Sequence, residues 1–403
     1  MAISRVVDIL GAGLAGLVAA NRLAQLGWTV RIHERNPDLR MFGAGIWLWE
    51  SGLKTLETIG AYDQAMARAR IIREWQIRDW ADRLLMSRLA NANDRLLLPP
   101  RADLYQALID RAQRYGVQIF TSSHAVSVTP DGETTFEGGE KRRADLVIIS
   151  DGAHSRLREF ILGTGWMDFG DQAGIRMLID EEPGDVKDTL IEYWNGPWRL
   201  LYNPCTEGRN YIFLSAPVSD ERARKLPIDP ALWMEKFPNA ADLIRRFHVD
   251  SRWDRLVNVR CRKWTEGRVA IVGDAAHAMP PNLGQAANTA FINIMALASM
   301  VSGPMGDLDI PATLQAWEAQ QRSITHHVQW WSYLYGFVLG KWPAGLMTLR
   351  SDVVRAISST AWFDESLNRG ARHVPDGFEP SSSRTMQVAP RYAELQAAAS
   401  SMG

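Results

Sequence analysis

The stretch Val6-Val-Asp-Ile-Leu-Gly-Ala-Gly-Leu-Ala-Gly16 runs from a mostly apolar segment into three glycines spaced as GxGxxG. An amphipathic segment follows from Leu17 to Leu26, and Gly27 ends it. Thr29-Val-Arg-Ile-His33 then reads as a second strand, closed by Glu34 and Arg35. Strand, glycine turn, helix and strand in that order predict a Rossmann-like unit. Gly11 makes the turn, Gly13 lets a pyrophosphate approach the backbone, and Gly16 lets helix and strand pack closely. Leu14 and Ala15 lead into the helix, whose first N–H groups can meet phosphate oxygens. Glu34, eighteen residues after Gly16, can accept hydrogen bonds from ribose hydroxyls. A dinucleotide is the expected ligand.

Two distant stretches point to the same sheet. Val269 to Val272 is a short apolar strand that ends at Gly273 and presents Asp274 at its carboxyl edge. Pro280 and Pro281 then hold the chain extended, Gly284 permits close backbone approach, and Ala286 to Ser302 reads as a helix. Ala144 to Ser150 is another buried strand. It feeds Asp151-Gly-Ala-His-Ser-Arg-Leu-Arg158, which places an acid, a hydroxyl and a guanidinium at a sheet edge. Taken alone, the first stretch also fits an ordinary turn. The second also fits a helix start with Ser155 in its first turn.

Between these motifs, Arg40 to Trp49 carries Gly43 and Gly45, which admit close backbone approach, with Arg40 nearby and Trp47 as a wall. Ser51 to Ala69 reads as a helix. Glu74 to Leu98 is strand-like and irregular, and Pro99-Pro100 marks the return. Asp103 is a candidate N-cap for a helix from Leu104 to Tyr115. Val117 to Phe120 and Ala125 to Val128 read as strands, with turns at Asp131-Gly132 and Gly138-Gly139. Residues 166 to 262 alternate strand-like runs with turns, broken by a helix at Pro230 to Phe237, as an inserted antiparallel sheet would. Pro311 to Gln329 is a strong helix, and the tail from Pro375 is rich in Pro, Ser and Ala and is expected to be poorly ordered.

At 403 residues, with 46% apolar and 23% charged residues, the chain has the composition of a globular protein of two or three domains. A net charge of −1 and the lack of a long basic block argue against nucleic acid as a partner. Cys205 and Cys261 are too few for a disulfide framework and suggest a reducing compartment. The chain opens almost directly into a strand, which leaves no room for a signal peptide, and Val328 to Leu339 is too short an apolar run to span a bilayer. Cytoplasmic residence with no membrane span is expected. Several of the sixteen tryptophans, including Trp194, Trp198 and Trp342, lie within two residues of glycine or proline and are candidate pocket walls.

The three motifs, GxGxxG at 11–16, DGxxSxxR at 151–158 and GDAAHxxxPxxGQ at 273–285, together resemble the class A flavoprotein aromatic hydroxylases, the para-hydroxybenzoate hydroxylase family. The resemblance runs from residue 3 to about residue 330. Residues 39–53, 200–205 and 226–238, with Asn293 in place of the more common acid, are most similar to the family's pyridine-ring oxygenases. The implied fold is α/β: a Rossmann-like FAD-binding domain of the GR2 type (1–70, 99–165 and 265–315), an inserted antiparallel-sheet substrate domain (71–98 and 166–264) and C-terminal helices (316–374), with the tail at 375–403.

The resemblance also implies roles. Gly11, Gly13, Gly16 and Glu34 match positions that hold the ADP half of FAD, with Leu14, Ala15, Arg35, Arg40 and Gly45 around the same cofactor. Asp274 matches an acid on the ribityl and phosphate region, and Arg101 an arginine near the cofactor. Asp151 matches a position between FAD and the nicotinamide donor. Pro281, Gly284, Gln285 and Ala286 match the loop along the isoalloxazine, with Pro281 also facing the reaction. Arg199, Tyr211, Trp47 and Trp75 fall where an arginine and three tyrosines line the substrate chamber. Two of those tyrosines are therefore tryptophans here, Ala286 replaces a common glycine, and Ile149-Ser150 replaces Gly-Ala. Indole N–H groups can only donate, which leaves the substrate open.

The implied reaction is reduction of non-covalent FAD by NADH or NADPH, capture of O2 as a flavin C4a-hydroperoxide, and hydroxylation of a small aromatic or heteroaromatic substrate, with or without ring opening. No Cys or His stands in a recognisable flavin-attachment context, and none of His33, His124, His154 and His277 is marked out as a base. Two rivals remain: a flavin dehydrogenase or reductase of the same fold, and a non-catalytic FAD-binding module. The assembly is compatible with a homodimer. A guanidinium in an apolar chamber costs several kcal/mol to desolvate unless an anion meets it, so Arg199 is expected to bind a substrate carboxylate or phenolate. The competing reading pairs Arg199 with a protein acid such as Glu192 and leaves Tyr211 simply packing.

Overall fold

The computed structural model describes residues 5–39, 44–91, 93–162, 166–168, 170–247, 251–303 and 308–374. Arg40, Gly43 and the tail from 375 lie outside the described residues.

Six strands form the first sheet, in the spatial order Thr265–Glu266, Val269–Ile271, Leu146–Ile149, Val6–Leu10, Thr29–His33 and Gln118–Phe120. All neighbours are parallel except the first pair. Val7, Ile9 and Leu10 are buried, as expected of a central parallel strand covered on both faces. Asp8, buried in the same strand, is held by Arg31 at 2.6 and 2.9 Å. Parallel strands end on the same side, so Gly11, Asp151 and Gly273, each just beyond the last residue of its strand, converge on one crevice. The helices Leu14–Gln25 and Ala286–Val301 pack against each other beside it.

The second sheet has seven strands, in the order Arg252–Arg255, Gln172–Asp180, Arg209–Pro217, Trp198–Thr206, Thr189–Asn195, Glu74–Asp79 and Leu84–Leu89. It is antiparallel except that Glu74–Asp79 runs parallel to Thr189–Asn195. The expectation of a purely antiparallel insertion is corrected at that pair. The hairpin 74–89 joins the sheet about a hundred residues ahead of its neighbour Thr189–Asn195, so no local turn fixes its direction. Strand alternation separates the two faces: Leu200, Ile212 and Leu214 pack with Trp233 in a second core, while Leu201, Tyr211 and Phe213 face the crevice.

Four helix expectations change. The first helix begins at Leu14, directly after the extended Gly13, and not at Leu17. Gly60, in the left-handed region at φ 75°, splits the expected helix 51–69 into Glu50–Ile59 and Tyr62–Met66. The helix Arg101–Arg114 starts straight after Pro100, so Asp103 lies in its first turn and pairs with Arg68 rather than capping. The helix expected at 311–329 extends over Ile310–Gly340, because Trp331, Tyr335 and Leu339 continue its buried stripe. Among the described residues no helix is long and apolar enough to cross a membrane. Cys205 and Cys261 are both free and buried.

Candidate active site

The glycine loop shows three distinct environments. Gly11 sits at φ +111°, and a Cβ there would lie 2.7 Å from the Ser150 carbonyl oxygen. At Gly16 a Cβ would lie 2.1 Å from the Gly11 oxygen and 2.7 Å from Ser150 Oγ, so helix and strand touch there. Gly13 is different: a Cβ would meet only the Ser150 oxygen, at 4.0 Å. That open side faces a cleft of about 1760 Å³, well beyond the roughly 300–1,000 Å³ of a single small-ligand site. Glu34 accepts from the Ala12 N–H at 3.1 Å and from the Asn36 N–H at 2.9 Å, and it lines the same cleft.

Gly11, Gly13, Leu14, Ala15, Glu34, Arg35, Gly45, Trp47, Arg101, Asp151, Tyr211, Asp274, Pro281, Gly284 and Ala286 all line that single cleft. Gly16, Trp75, Arg199 and Gln285 do not. Asp274 is solvent-exposed through the cleft, but the protein crowded around its other sides desolvates it and pushes its carboxyl up, and Arg101 pulls it partly back. Desolvation by the surrounding protein likewise raises Asp151, which is exposed to the cleft, against Ser155 and Arg158. Arg158 is buried, and donates to the Ala275 carbonyl at 2.7 Å and the Ala153 carbonyl at 3.1 Å. It therefore ties the second and third sequence motifs together and does not face a ligand. Gln285 donates to the Leu367 carbonyl at 2.9 Å, which anchors the last described helix.

Against the second sheet the same cleft forms a chamber lined by Trp47, Met177, Leu201, Tyr211, Phe213 and Met279. Trp47 gives its indole N–H to Asn203 Oδ1 at 2.8 Å, so it lines the cleft without a free donor. Trp75 stands behind it, edge-on at 5.1 Å between ring centroids. Arg199 does not reach the chamber. It is 1% exposed, forks onto both oxygens of Glu192, and donates to Asn282 Oδ1 at 2.8 Å. The expectation of a substrate anion on Arg199 is corrected: the guanidinium already has its carboxylate, as the competing reading held. The cation beside Tyr211 is Arg176, whose charge opposes the upward push of burial on the phenol; it lies over the Phe213 ring at 5.3 Å and pairs with Asp254 at 3.2 Å.

Residues 4–329 match the family model described as FAD binding domain. The chain belongs to that family. The chain is similar to the 2-heptyl-3-hydroxy-4(1H)-quinolone synthase of Mycobacteroides abscessus, 36% identical over 335 residues, covering 81% of this chain and 88% of the relative. The 3-amino-4-hydroxybenzoate 2-monooxygenase of Streptomyces cremeus is 30% identical over 322 residues, with 74% and 79% covered. The tetrameric form of 2-methyl-3-hydroxypyridine-5-carboxylic acid oxygenase superposes with a TM-score of 0.79 at 31% identity, covering 92% of this chain and 97% of that one. The protein is a flavin-dependent aromatic monooxygenase with the para-hydroxybenzoate hydroxylase type of fold.

The residues present fit FAD. The unfilled space at Gly13, the helix N-terminus at Leu14 and the Glu34 carboxylate suit the pyrophosphate and ribose, and Arg101 with Asp274 suits the polar chain beyond. Several residues that hold this shape were given no such role from the sequence, although Ser150 stands out there as a departure from the family's Gly-Ala. Ser150 Oγ donates to the Gly11 carbonyl at 2.9 Å, and Tyr105 donates to the Ala12 carbonyl at 2.7 Å. Both side chains bind backbone, for which a single sequence carries no signal. Arg176 sits in an alternating strand, where an arginine ordinarily reads as solvent-facing.

Proposed function

We propose that this enzyme hydroxylates a nitrogen-containing heteroaromatic ring of pyridine or quinolone size, using NADH or NADPH as electron donor. One observation carries the reading: the dinucleotide crevice and the aromatic chamber are a single continuous cleft, so cofactor and ring substrate can meet in it. Bound FAD supplies electron transfer from the nicotinamide and activation of O2. The balance is ring C–H, O2, NAD(P)H and a proton giving ring C–OH, water and NAD(P)+.

The chain's own residues bind, orient and exclude water. Met177, Leu201, Phe213 and Met279 supply a dry wall, which oxygen chemistry requires to avoid wasteful peroxide release. Trp47 offers a flat face for an aromatic ring. Arg176 and Tyr211 form the polar end. Burial pushes the Tyr211 phenol up, opposed by Arg176, so the phenol stays protonated at neutral pH and Arg176 supplies the charge. An ionised ring oxygen or carboxylate docked there could exchange for part of the Asp254 pairing. The similarity to quinolone, pyridine and aminobenzoate oxygenases supports an electron-rich ring carrying an oxygen substituent.

A panel of 2-alkyl-4-quinolones, hydroxypyridine carboxylates and hydroxybenzoates, assayed for stimulated NAD(P)H oxidation with hydroxylated product, tests the reading. Stimulation and product from a quinolone or pyridine support it. Product from hydroxybenzoates alone would refute the heteroaromatic assignment.

A further inference from the structure

The loop from Ala278 to Gly284 walls the cleft through Met279, Pro281 and Gly284. Its other side is held by side chains from distant segments and by Asn288 of the helix that follows it. The Ala278 carbonyl accepts from Gln329 at 3.2 Å, and the Pro280 carbonyl from Ser332 at 2.6 Å. The Leu283 carbonyl accepts from Trp49 at 3.2 Å, and the Gly284 carbonyl from Asn288 at 3.0 Å. Asn282 is held by its side chain: Oδ1 accepts from Arg199 Nη1 at 2.8 Å, and Nδ2 donates to the Ser332 carbonyl at 2.8 Å. Gly336 leaves room for this contact, since a Cβ there would lie 2.9 Å from Asn282 Nδ2.

Behind Asn282 the pair Arg199–Glu192 is fully buried, and Glu192 Oε1 also accepts from Trp194 Nε1 at 2.6 Å and from the Tyr335 hydroxyl at 2.6 Å. Apolar residues of equal volume would stabilise a core as well as such a pair. What the pair adds is direction: with Nε and one terminal nitrogen on Glu192, the other terminal nitrogen points at Asn282.

We propose that Arg199 is a positioning residue: anchored by Glu192, it holds Asn282 and so sets the wall from Pro281 to Gly284 against which FAD binds. This rests on the reading that the wall meets the flavin, and its test does not depend on the substrate.

Apo-protein of Asn282→Leu and Gly336→Ala is titrated with FAD, the bound-flavin absorption spectrum is recorded, and the peroxide fraction of NAD(P)H oxidation is measured. Gly336→Ala improves helix propensity, so a weaker helix cannot account for its effect. Both variants should raise FAD Kd by about tenfold or more and shift the flavin spectrum; Gly336→Ala should do so at a denaturation midpoint near wild type, while Asn282→Leu, which also strands Arg199 Nη1 and the Ser332 carbonyl, should lower the midpoint as well. Arg199→Lys keeps the charge but loses the fork, and should fall between wild type and Arg199→Met. Wild-type FAD Kd and spectrum in Gly336→Ala would overturn the proposal, even if Asn282→Leu fails to fold. So would an Arg199→Lys variant that changes only substrate KM, which would put Arg199 on the substrate. If no ring compound turns over, the substrate reading fails while the flavin measurements still decide this one.

Discussion

Gly13→Ala and Gly16→Ala differ from each other by three positions in one loop, yet they should fail in opposite ways. At Gly13 the backbone has φ −73° and ψ 178°, which alanine adopts without strain, and the new methyl has 4.0 Å to its nearest neighbour. The apo-protein should therefore stay within about 1 kcal/mol of wild type, since lost capping preference and reduced unfolded-state entropy nearly cancel. The methyl occupies the space a pyrophosphate would use to reach the backbone N–H groups. Losing one charge-assisted hydrogen bond costs roughly 1.5–3 kcal/mol, or about ten- to hundredfold in FAD Kd. At Gly16 the methyl would sit 2.1 Å from a backbone oxygen that cannot swing aside. Helix and strand must separate, at about 1–3 kcal/mol or more of stability, whether or not FAD is added. Urea denaturation of both apo-proteins and fluorescence titration with FAD separate the two effects. A Gly13→Ala protein with wild-type FAD affinity, or a Gly16→Ala protein with wild-type stability, would refute the division of labour in the loop.

Arg176→Met should raise substrate KM by about tenfold or more with FAD content unchanged; an unaltered KM would remove Arg176 from the substrate's polar end. His277 accepts from Asn293 Nδ2 at 3.2 Å, and burial pushes its pKa down to about 4. Its folded pKa lies below the unfolded value near 6.5, so its neutral burial contributes fully above that pH. About 3 kcal/mol is lost as pH falls from 6.5 towards 4. Urea midpoints across that range should fall less steeply in His277→Gln, and an identical slope would rule His277 out as the titrating group. Arg95, fully buried, bonds Glu50 at 2.7 Å and Glu57 at 3.0 Å. Arg95→Met strands two carboxylates and should cost about 3–5 kcal/mol of unfolding free energy, and a loss under 1 kcal/mol would show that water reaches the cluster.

The fold was legible because its signals are backbone signals. Glycines at 11, 13 and 16 and the apolar strands at 6–10, 146–149 and 269–271 state their structural reason locally, and the parallel sheet brings them together. The chamber was legible only in part. Tyr211 and Trp47 face it, but Arg199, one strand over, turns to Glu192, and Trp75 packs edge-on behind Trp47. Which way a buried arginine points depends on which carboxylate lies across from it in the sheet. Glu192 is paired with Leu201, two residues from Arg199 on the same strand face, and that register appears only once the sheet is assembled. Arg176 was missed for the converse reason: its partner Asp254 arrives from a strand 78 residues later.

The parallel pairing of Glu74–Asp79 with Thr189–Asn195 has a consequence for synthesis. On the ribosome, the 74–89 hairpin emerges about a hundred residues before the strand that completes its sheet, so Trp75 and Ile77 wait without their native cover. Long-range pairings of this kind form late and leave unpaired strand edges exposed meanwhile. The nascent chain is therefore most vulnerable to misassociation between the emergence of residue 89 and that of residue 195, which makes this window the place where chaperone capture or slowed translation would matter most for yield.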